Sequence, residues 1–335
     1  SNNTGIGARA LLSNTTGGAN TAIGENALYQ NTTANFNTAV GYQSLDANTE
    51  GASNTGIGAD ALSANTTGAL NVAVGKSALA ANTTALANTA VGYASLGENT
   101  TGANNTAVGR SALNENTTGG YNISVGYLTL DANTTGGSNT ALGYNSLGAN
   151  TTADNNTAIG THSLKVNTTG TKNTAVGGNA LNSTTTGSYN TAIGWAATSS
   201  SATSSNQFTL GDTGVYNLRC NDTSISSLSD SRDKTDVIDS PYGLDFINTV
   251  RPVQFLWDTR DGNIKDGSTR IGFLAQELLE ATDGNNAVLD LVHDDNPNRL
   301  EAKYANLLPV AIKAIQELST TVDELKAEIQ TLKGE

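Results

Sequence analysis

The sequence predicts a mainly β protein, in which a repetitive β-solenoid or β-roll shaft precedes a small α+β domain that ends in a coiled-coil helix. Three observations predict this fold: a 17-residue repeat fills residues 1–206, the composition changes near residue 206, and a heptad pattern closes the chain. The chain has 335 residues, 37% of them hydrophobic and 5% aromatic, and a formal net charge of −13. So low an apolar fraction argues against an ordinary enzyme with two thick cores.

The repeat follows the consensus N-T-A-[VIL]-G-x-x-[AS]-L-x-x-N-T-T-G-x-x, and we number its positions 1 to 17 from Asn3. Eleven full units run from 3 to 189, and a partial unit follows without the consensus Leu. No insertion or deletion breaks the phase. A fixed short period predicts stacked structural units, and it disfavours the alternative of a disordered tract rich in Asn, Thr and Gly.

Each unit begins with a short β-prone segment (positions 1–4) and continues into a small-residue stretch that could be a strand or one helical turn. Stacking would align the Ile or Val of position 4 and the Leu of position 9 into two apolar ladders. The Gly of position 5 indicates a turn with positive φ or tight packing, and the recurring Asn residues indicate hydrogen-bonded ladders or turn caps.

Two large apolar side chains per unit cannot offset the ordering of 17 residues. We therefore expect other chains to complete the shaft, in a trimer. Whether each chain would form its own solenoid or the three would interleave stays open at this point.

Composition and pattern divide the chain into four segments. Residues 1–206 form the repeat shaft, 207–228 a β neck, 229–307 the small α+β domain, and 308–335 the C-terminal coiled-coil helix. The charge is uneven, because residues 1–206 hold 5 Lys and Arg against 8 Asp and Glu, whereas 207–335 hold 12 against 22. All four Pro residues lie in the second part.

The C-terminal segment carries an a/d heptad seam whose members are spaced 3, 4, 3, 4 and 3 residues apart. The seam consists of Ile315, Leu318, Val322, Leu325, Ile329 and Leu332. Ile or Val at a with Leu at d nominally favours parallel dimers. The alternative is a helix that folds back on its own domain.

Several function classes are disfavoured by composition. The single Cys220 rules out an intramolecular disulfide, and we predict no metal site or cofactor, although His293 stands beside two Asp residues. The acidic balance argues against nucleic acid as a partner, and the lack of an 18-residue apolar run argues against membrane insertion. No signal peptide is visible. Because the sequence has no Met, we expect Ser1 to be a processed or trimmed end.

Four motifs of the second part point to one family. They are Ser-Leu-Ser-Asp-Ser-Arg-Asp-Lys at 227–234, Gly-Leu-Asp-Phe-Ile-Asn-Thr-Val-Arg-Pro-Val-Gln-Phe-Leu-Trp at 243–257, Arg-Ile-Gly-Phe-Leu-Ala-Gln-Glu-Leu at 270–278, and Lys-Tyr-Ala-Asn-Leu-Leu-Pro-Val-Ala-Ile-Lys-Ala-Ile-Gln-Glu-Leu at 303–318. Together they resemble the intramolecular chaperone domain of phage tailspikes and tail fibres, the S74 peptidase family. The shaft core Asn-Thr-Ala-Val-Gly-x-x-Ala-Leu resembles the head repeats of trimeric adhesins and the shaft repeats of phage tail fibres.

The family resemblance implies that the C-terminal domain trimerises, templates folding of the upstream fibre and is often released by self-cleavage. The family motif S-D-x-R-x-K maps onto Ser229, Asp230, Arg232 and Lys234. Ser229 would be the nucleophile and Lys234 the general base of a Ser–Lys dyad that acts once per chain, and the scissile bond would be Leu228–Ser229. Arg232 would supply positive charge or hold a strand in place.

Two interpretations of that motif stay open. A serine hydroxyl needs a nearby base, and a lysine acts as one only when burial or positive charge favours its neutral form. Asp233 departs from the family, whose members often carry an apolar residue beside the lysine. The alternative to a dyad is a solvated polar turn, and whether cleavage occurs is left open.

These expectations combine into a structural and receptor-binding segment of a homotrimeric phage tail fibre, located in the virion and assembled in the host cytoplasm. Its partners would be a host surface receptor, for which a glycan is one candidate, and other virion tail proteins. One alternative is a cellular trimeric surface adhesin without proteolysis. Another is an ice-binding solenoid, suggested by Thr pairs such as Thr15 and Thr16.

One repeat position carries several aromatic residues. Tyr42, Tyr93, Tyr127 and Tyr144 all stand at position 6. Regularly spaced exposed tyrosines could stack against sugars, whereas the reading that we favour is a fitted shaft surface.

Overall fold

The structure is a computed structural model that describes residues 2–212, 214–215, 229–256, 269–298 and 300–334. The chain divides into two compact units, Ser1–Asp212 and Thr213–Glu335. Each is described by itself.

The first unit is a parallel β-solenoid in which each repeat makes one turn and contributes one three-residue strand. Strand neighbours follow sequence order, and each strand pairs in register with the same positions of the next unit, as Thr4 pairs with Thr21. The strands are β1 (Thr4–Ile6), β2 (Thr21–Ile23), β3 (Thr38–Val40), β4 (Thr55–Ile57), β5 (Val72–Val74), β6 (Thr89–Val91), β7 (Thr106–Val108), β8 (Ile123–Val125), β9 (Thr140–Leu142), β10 (Thr157–Ile159), β11 (Thr174–Val176), β12 (Thr191–Ile193) and β13 (Phe208–Leu210). The mainly β solenoid prediction is confirmed, and one chain forms the solenoid by itself.

The inside of the solenoid is filled by small side chains and one Leu per turn. The Leu of position 9 is fully buried from Leu28 to Leu181, and the Ala in the middle of nearly every strand is fully buried too. The Ile or Val of position 4 lies on the outer face and is substantially exposed, as at Ile23 (38%) and Ile193 (43%). Both expected ladders therefore form, but the position 4 ladder faces outward, because side chains alternate along a strand and the middle Ala points inward.

The turns between strands use left-handed backbone conformations. The Gly of position 5 has φ between 120° and 137° throughout the solenoid, which is a conformation that disfavours any side chain. The Leu of position 9 also has positive φ, for example 52° at Leu62. The stretch around it is a series of turns, so neither the strand nor the helical turn considered from sequence describes it.

Two columns of buried Asn run through the solenoid and satisfy its interior backbone groups. At position 1, Asn54 Oδ1 accepts the backbone N–H of Asn71 in the next unit at 3.0 Å, and Asn54 Nδ2 donates to the carbonyl of Gly68 in its own unit. At position 12, Asn82 Nδ2 donates to Asn65 Oδ1 at 2.8 Å, and the pattern repeats along the column. Buried polar groups need such partners, and each ladder ties neighbouring units together.

The second unit is a small α+β domain, and its secondary structure is short apart from one long helix. The described helices are α1 (Leu244–Ile247), α2 (Ala275–Ala281), α3 (Asn286–Leu289) and α4 (Leu307–Lys333), with 3₁₀ helices at Ser231–Asp233 and Tyr304–Asn306. The described strands β14 (Val253–Leu256) and β15 (Thr269–Gly272) form one antiparallel pair, and β16 (Val292–His293) and β17 (Glu301–Ala302) form another. Its core is the buried cluster of Leu278, Leu289, Leu291, Val292, Leu307 and Val310.

Candidate functional site

The sequence motif beginning at Ser229 folds into a tight polar turn. Asp230 caps the 3₁₀ helix Ser231–Asp233, because its side chain accepts the backbone N–H of Arg232 at 2.9 Å. Lys234 ends the helix and donates its backbone N–H to the carbonyl of Ser231. The turn therefore brings the side chain of Lys234 back towards Ser229, five residues earlier in the chain.

The structure brings the two expected dyad residues into contact. Lys234 Nζ donates to Ser229 Oγ over 2.5 Å. At this distance, the neutral amine of Lys234 would be able to accept the hydroxyl proton of Ser229. Leu228, on the other side of the expected scissile bond, lies outside the described residues.

Asp230 and Arg232 form an ion pair beside the dyad. The guanidinium donates to both carboxylate oxygens of Asp230 through Nε and Nη2. The side-chain hydrogen bond from Arg232 lowers the pKa of Asp230, and the same bond raises the pKa of Arg232. The positive charge of Arg232 is therefore matched by a carboxylate, and Arg232 stabilises the turn that presents Ser229 and Lys234.

All four residues of the motif are exposed to solvent in the single chain, as is Asp233. Water stabilises the ammonium form of a lysine, and only the neutral amine can take a proton from serine. The geometry of a dyad is thus present, while the dry environment that would activate its base is not supplied by the described residues of one chain.

Helix α4 has two apolar faces with different surroundings. Leu307, Val310 and Ala314 are buried against the rest of the domain, and Glu317 accepts the backbone N–H of Leu244 at 2.7 Å. The six seam residues lie on another face and are exposed between 40% (Val322) and 80% (Leu332). The first turns of the helix therefore fold back on the domain, whereas the expected coiled-coil seam has no apolar partner among the described residues of this chain.

Three of the four position 6 tyrosines, Tyr93, Tyr127 and Tyr144, lie in one column with Arg110. The rings of Tyr127 and Tyr144 stack with centroids 5.6 Å apart and planes 19° apart. The guanidinium of Arg110 lies 5.5 Å from the ring of Tyr127 and 5.9 Å from that of Tyr93. These contacts fit the favoured interpretation of a packed shaft surface for three of the rings, whereas Tyr42 is 49% exposed and takes no part in them.

The Thr pairs behave differently at their two positions. Position 13 hydroxyls donate to carbonyls of the next turn, as Thr117 does to Thr134 at 3.0 Å, whereas position 14 residues such as Thr118 are exposed. Each pair therefore supplies one free hydroxyl to the surface.

The fold and the motif geometry lead to the comparison with known families. Residues 229–289 match the Peptidase_S74 family model, chaperone of endosialidase. The matched segment begins at Ser229 and contains the polar turn and the described strands β14 and β15. The resemblance inferred from the motifs is confirmed over these residues, and this part of the C-terminal unit is similar to the chaperone family. No curated protein and no solved structure matches the chain.

The chaperone family implies trimeric assembly and is associated with phage tails. Together with the solenoid shaft, it supports a role in trimerisation and folding like that of a phage tail fibre. In the part of the chain that the structure describes, no helix has the length and apolarity needed to cross a membrane. Over the same residues, no group of three or more His, Cys, Asp or Glu side chains is placed to hold a metal ion.

Proposed function

We propose that this chain is a segment of a homotrimeric phage tail fibre whose chaperone domain joins three chains, directs the folding of their shafts and cuts itself off at Leu228–Ser229. The observation that carries the proposal is the matched chaperone domain with an unpaired heptad seam on α4 and a Lys234–Ser229 contact at its first residue.

The α4 seam supports association of several chains. Six apolar side chains spaced as a and d positions stay exposed over nearly five turns of helix. Burying this apolar surface between identical helices would stabilise their association. The family implies three copies, and the chaperone domain beside the seam would set that number rather than the choice of Ile and Leu.

The outer face of the shaft also supports association between chains. Position 4 is Val, Ile or Leu in every unit from Ile6 to Leu210, although it is exposed. Position 6, which is also outward, holds residues as different as Glu25, Lys76 and Gly178. Strand formation alone does not require an apolar residue at position 4, because Thr occupies position 2 of most of the same strands. A packed interface between shafts does require it.

Self-cleavage would proceed in two balanced steps. Lys234 Nζ takes the proton of Ser229 Oγ as the oxygen attacks the carbonyl carbon of Leu228, and the proton is then given to the leaving amine of Ser229. This exchanges the peptide bond for an ester. Water then hydrolyses the ester, which leaves a carboxylate on Leu228 and restores the hydroxyl of Ser229 at a new N-terminus. Since the nucleophile departs with the released domain, each chain reacts once.

The exposure of the dyad links cleavage to assembly. In one chain Lys234 is solvated, and covering it by a neighbouring copy would favour the neutral amine. We therefore expect cleavage to follow trimerisation, because only a neutral amine can accept the hydroxyl proton of Ser229.

Denaturing and native mass spectrometry of three proteins test the proposal. The wild type should yield a trimer and a fragment that begins at Ser229, while Ser229→Ala and Lys234→Met should give uncut trimers. If the wild type stays uncut, or if Ser229→Ala is cut equally, self-cleavage is wrong. A chain ending at residue 212 tests the chaperone role, since a folded, trimeric shaft from that chain would contradict it.

A further inference from the structure

The backbone N–H groups at position 16 of the repeat lie along one groove of the shaft. At some turns a side chain of the next unit accepts a hydrogen bond from this N–H (a cap), and at other turns none does. At four turns the residue at position 16 of the next unit accepts this N–H. Asn35 Oδ1 caps Gly18 at 2.7 Å, and Asp154 Oδ1 caps Gly137 at 2.6 Å. Ser188 and Ser205 cap the N–H groups of the two preceding units in the same way.

The other described turns lack this cap, and at two consecutive turns the facing residue has no side chain at all. Gly120 and Gly137 occupy position 16, so they present no side chain to the N–H groups of Ala103 and Gly120. Neither of these N–H groups has a hydrogen-bond acceptor among the described residues. No other pair of neighbouring units has Gly at both of its position 16 sites.

The missing side chains open a cleft of about 470 Å³ in the side of the shaft. The backbone at Gly120 is outside the left-handed region, and a Cβ there would lie 3.0 Å from the Ala103 carbonyl oxygen. Ala, Asn, Ser and Leu all occur at position 16 elsewhere. Backbone conformation therefore does not demand glycine at this position, and the space that it leaves is the distinctive feature.

An aromatic ring and polar side chains border the cleft. Tyr121 is 69% exposed, so much of its ring is available for contact. Asn104 and Asn155 flank it at the same repeat position, and the Asp154 carboxylate lies at the far end. Amides both donate and accept hydrogen bonds, and a carboxylate accepts them.

We propose that this cleft, bounded by Tyr121, Gly120 and Asp154, binds a neutral sugar ring of an oligosaccharide. Sugar hydroxyls accept from backbone N–H groups and donate to carboxylates, and the apolar face of a sugar packs on an aromatic ring. The charge of Asp154 disfavours anionic sugars. The cleft is small and open, and it suits one or two sugar units of a chain that continues into solvent.

The inference rests on the proposed fibre, because the cleft must stay accessible in the assembled trimer. Native mass spectrometry of each sample separates the two questions. A sample that is not trimeric contradicts the fibre proposal. A trimer that binds no neutral sugar overturns the cleft proposal alone.

Variants taken from the repeat itself make the test specific. Gly120→Asn should cap Ala103 and fill the cleft as Asn35 does at its turn, and Tyr121→Asn copies the residue found at position 17 in Asn104. Ala52→Asn and Tyr189→Asn make the same changes at positions 16 and 17 of other units, and serve as matched controls.

The probe is an array of neutral oligosaccharides with sialylated counterparts, followed by calorimetric titration of the neutral compounds that bind. We expect the full chain to bind neutral members, with affinity reduced by about tenfold or more in both cleft variants and within about twofold of wild type in both controls. Binding to sialylated members alone, equal binding by the cleft variants, or no neutral binding would each overturn the proposal.

Discussion

The most constrained residue of each turn is the Gly at position 5. At Gly58 φ is +133°, and a Cβ would lie 2.5 Å from the carbonyl oxygen of Gly75 in the next unit. The obstacle is the backbone directly after the adjoining strand β5, which cannot move without disturbing the ladder. The recurrence of this Gly therefore has both a conformational and a packing cause.

Replacing Gly58 with Ala should destabilise the shaft by at least about 1–3 kcal/mol, the cost of a strained backbone conformation. Gly97→Ala is the control, because its Cβ would meet Asn114 Oδ1, a side-chain atom that can rotate away. Thermal unfolding followed by circular dichroism compares the two. Equal midpoints for both variants would contradict this account.

A different kind of residue-level strain lies at Asp46. Its Oδ1 is buried and has no hydrogen-bond partner among the described residues, and burial raises its pKa. A raised pKa means that the folded state holds the proton more tightly than the unfolded state. The contribution of Asp46 to stability is therefore most favourable at acid pH, and it is lost as pH rises through the pKa of the folded state.

We expect Asp46→Asn to raise the unfolding midpoint at pH 7 and to have a smaller effect at acid pH, where the carboxyl of the folded state is protonated. Unfolding midpoints measured from pH 3 to 8 would show the two curves separating as pH rises. A constant difference across this range would show that charge is not the cause. Asp60 is the control position, because among the described residues it has no buried carboxylate oxygen that lacks a hydrogen-bond partner, and Asn there should change little.

Among the structural elements, the position 12 Asn ladder has an identifiable end. Each Asn accepts a bond from the Asn one unit later, up to Asn150 and Asn167. The next unit has Thr184 there, and its hydroxyl bonds to Ser199. Among the residues that the structure describes, Asn167 Oδ1 is consequently buried without a hydrogen-bond partner.

Restoring the ladder with Thr184→Asn should stabilise the shaft by about 1 kcal/mol, the net value of one hydrogen bond to a buried acceptor. The measurement is the unfolding midpoint beside wild type. Thr184→Val serves as control, since it removes the hydroxyl and supplies no donor, and it should not stabilise. A gain from Val equal to that from Asn would remove the ladder explanation.

For the whole molecule, the proposed trimer depends on the outward position 4 face. Val91 and Val108 lie one turn apart on this face, and each is more than a third exposed. Replacing both with Lys would place like charges in the interface while leaving the inside of each solenoid unchanged.

The double variant should keep the circular dichroism of the wild type, but its trimer should dissociate at a lower temperature in native mass spectrometry. Thr84→Lys with Thr101→Lys adds the same charge on the exposed position 14 column and should leave dissociation unchanged. If both double variants dissociate alike, position 4 is not the contact face.

The sequence predicted the parts of the fold that depend on the 17-residue repeat. It did not predict which side chains of each strand point inward. Seventeen-residue phasing was enough to predict stacked turns and Asn ladders. It was not enough to show that Ile23 points outward, because a three-residue strand has too little alternation to reveal which face is buried. The position of Ser229 relative to Lys234 came from family resemblance, since a short polar turn has no periodicity.

The in-register pairing of equivalent positions also creates an ambiguity during folding. A strand such as β5 finds nearly the same partner positions in β6 and in β7, so a chain that loops out one unit keeps almost every interior contact. Many shifted stackings are then close in free energy, and the repeats alone distinguish them weakly. If the pairing of the strand at one end were fixed, the register of every following turn would be fixed too. Three chains joined at that end would then keep equivalent turns aligned along their whole length.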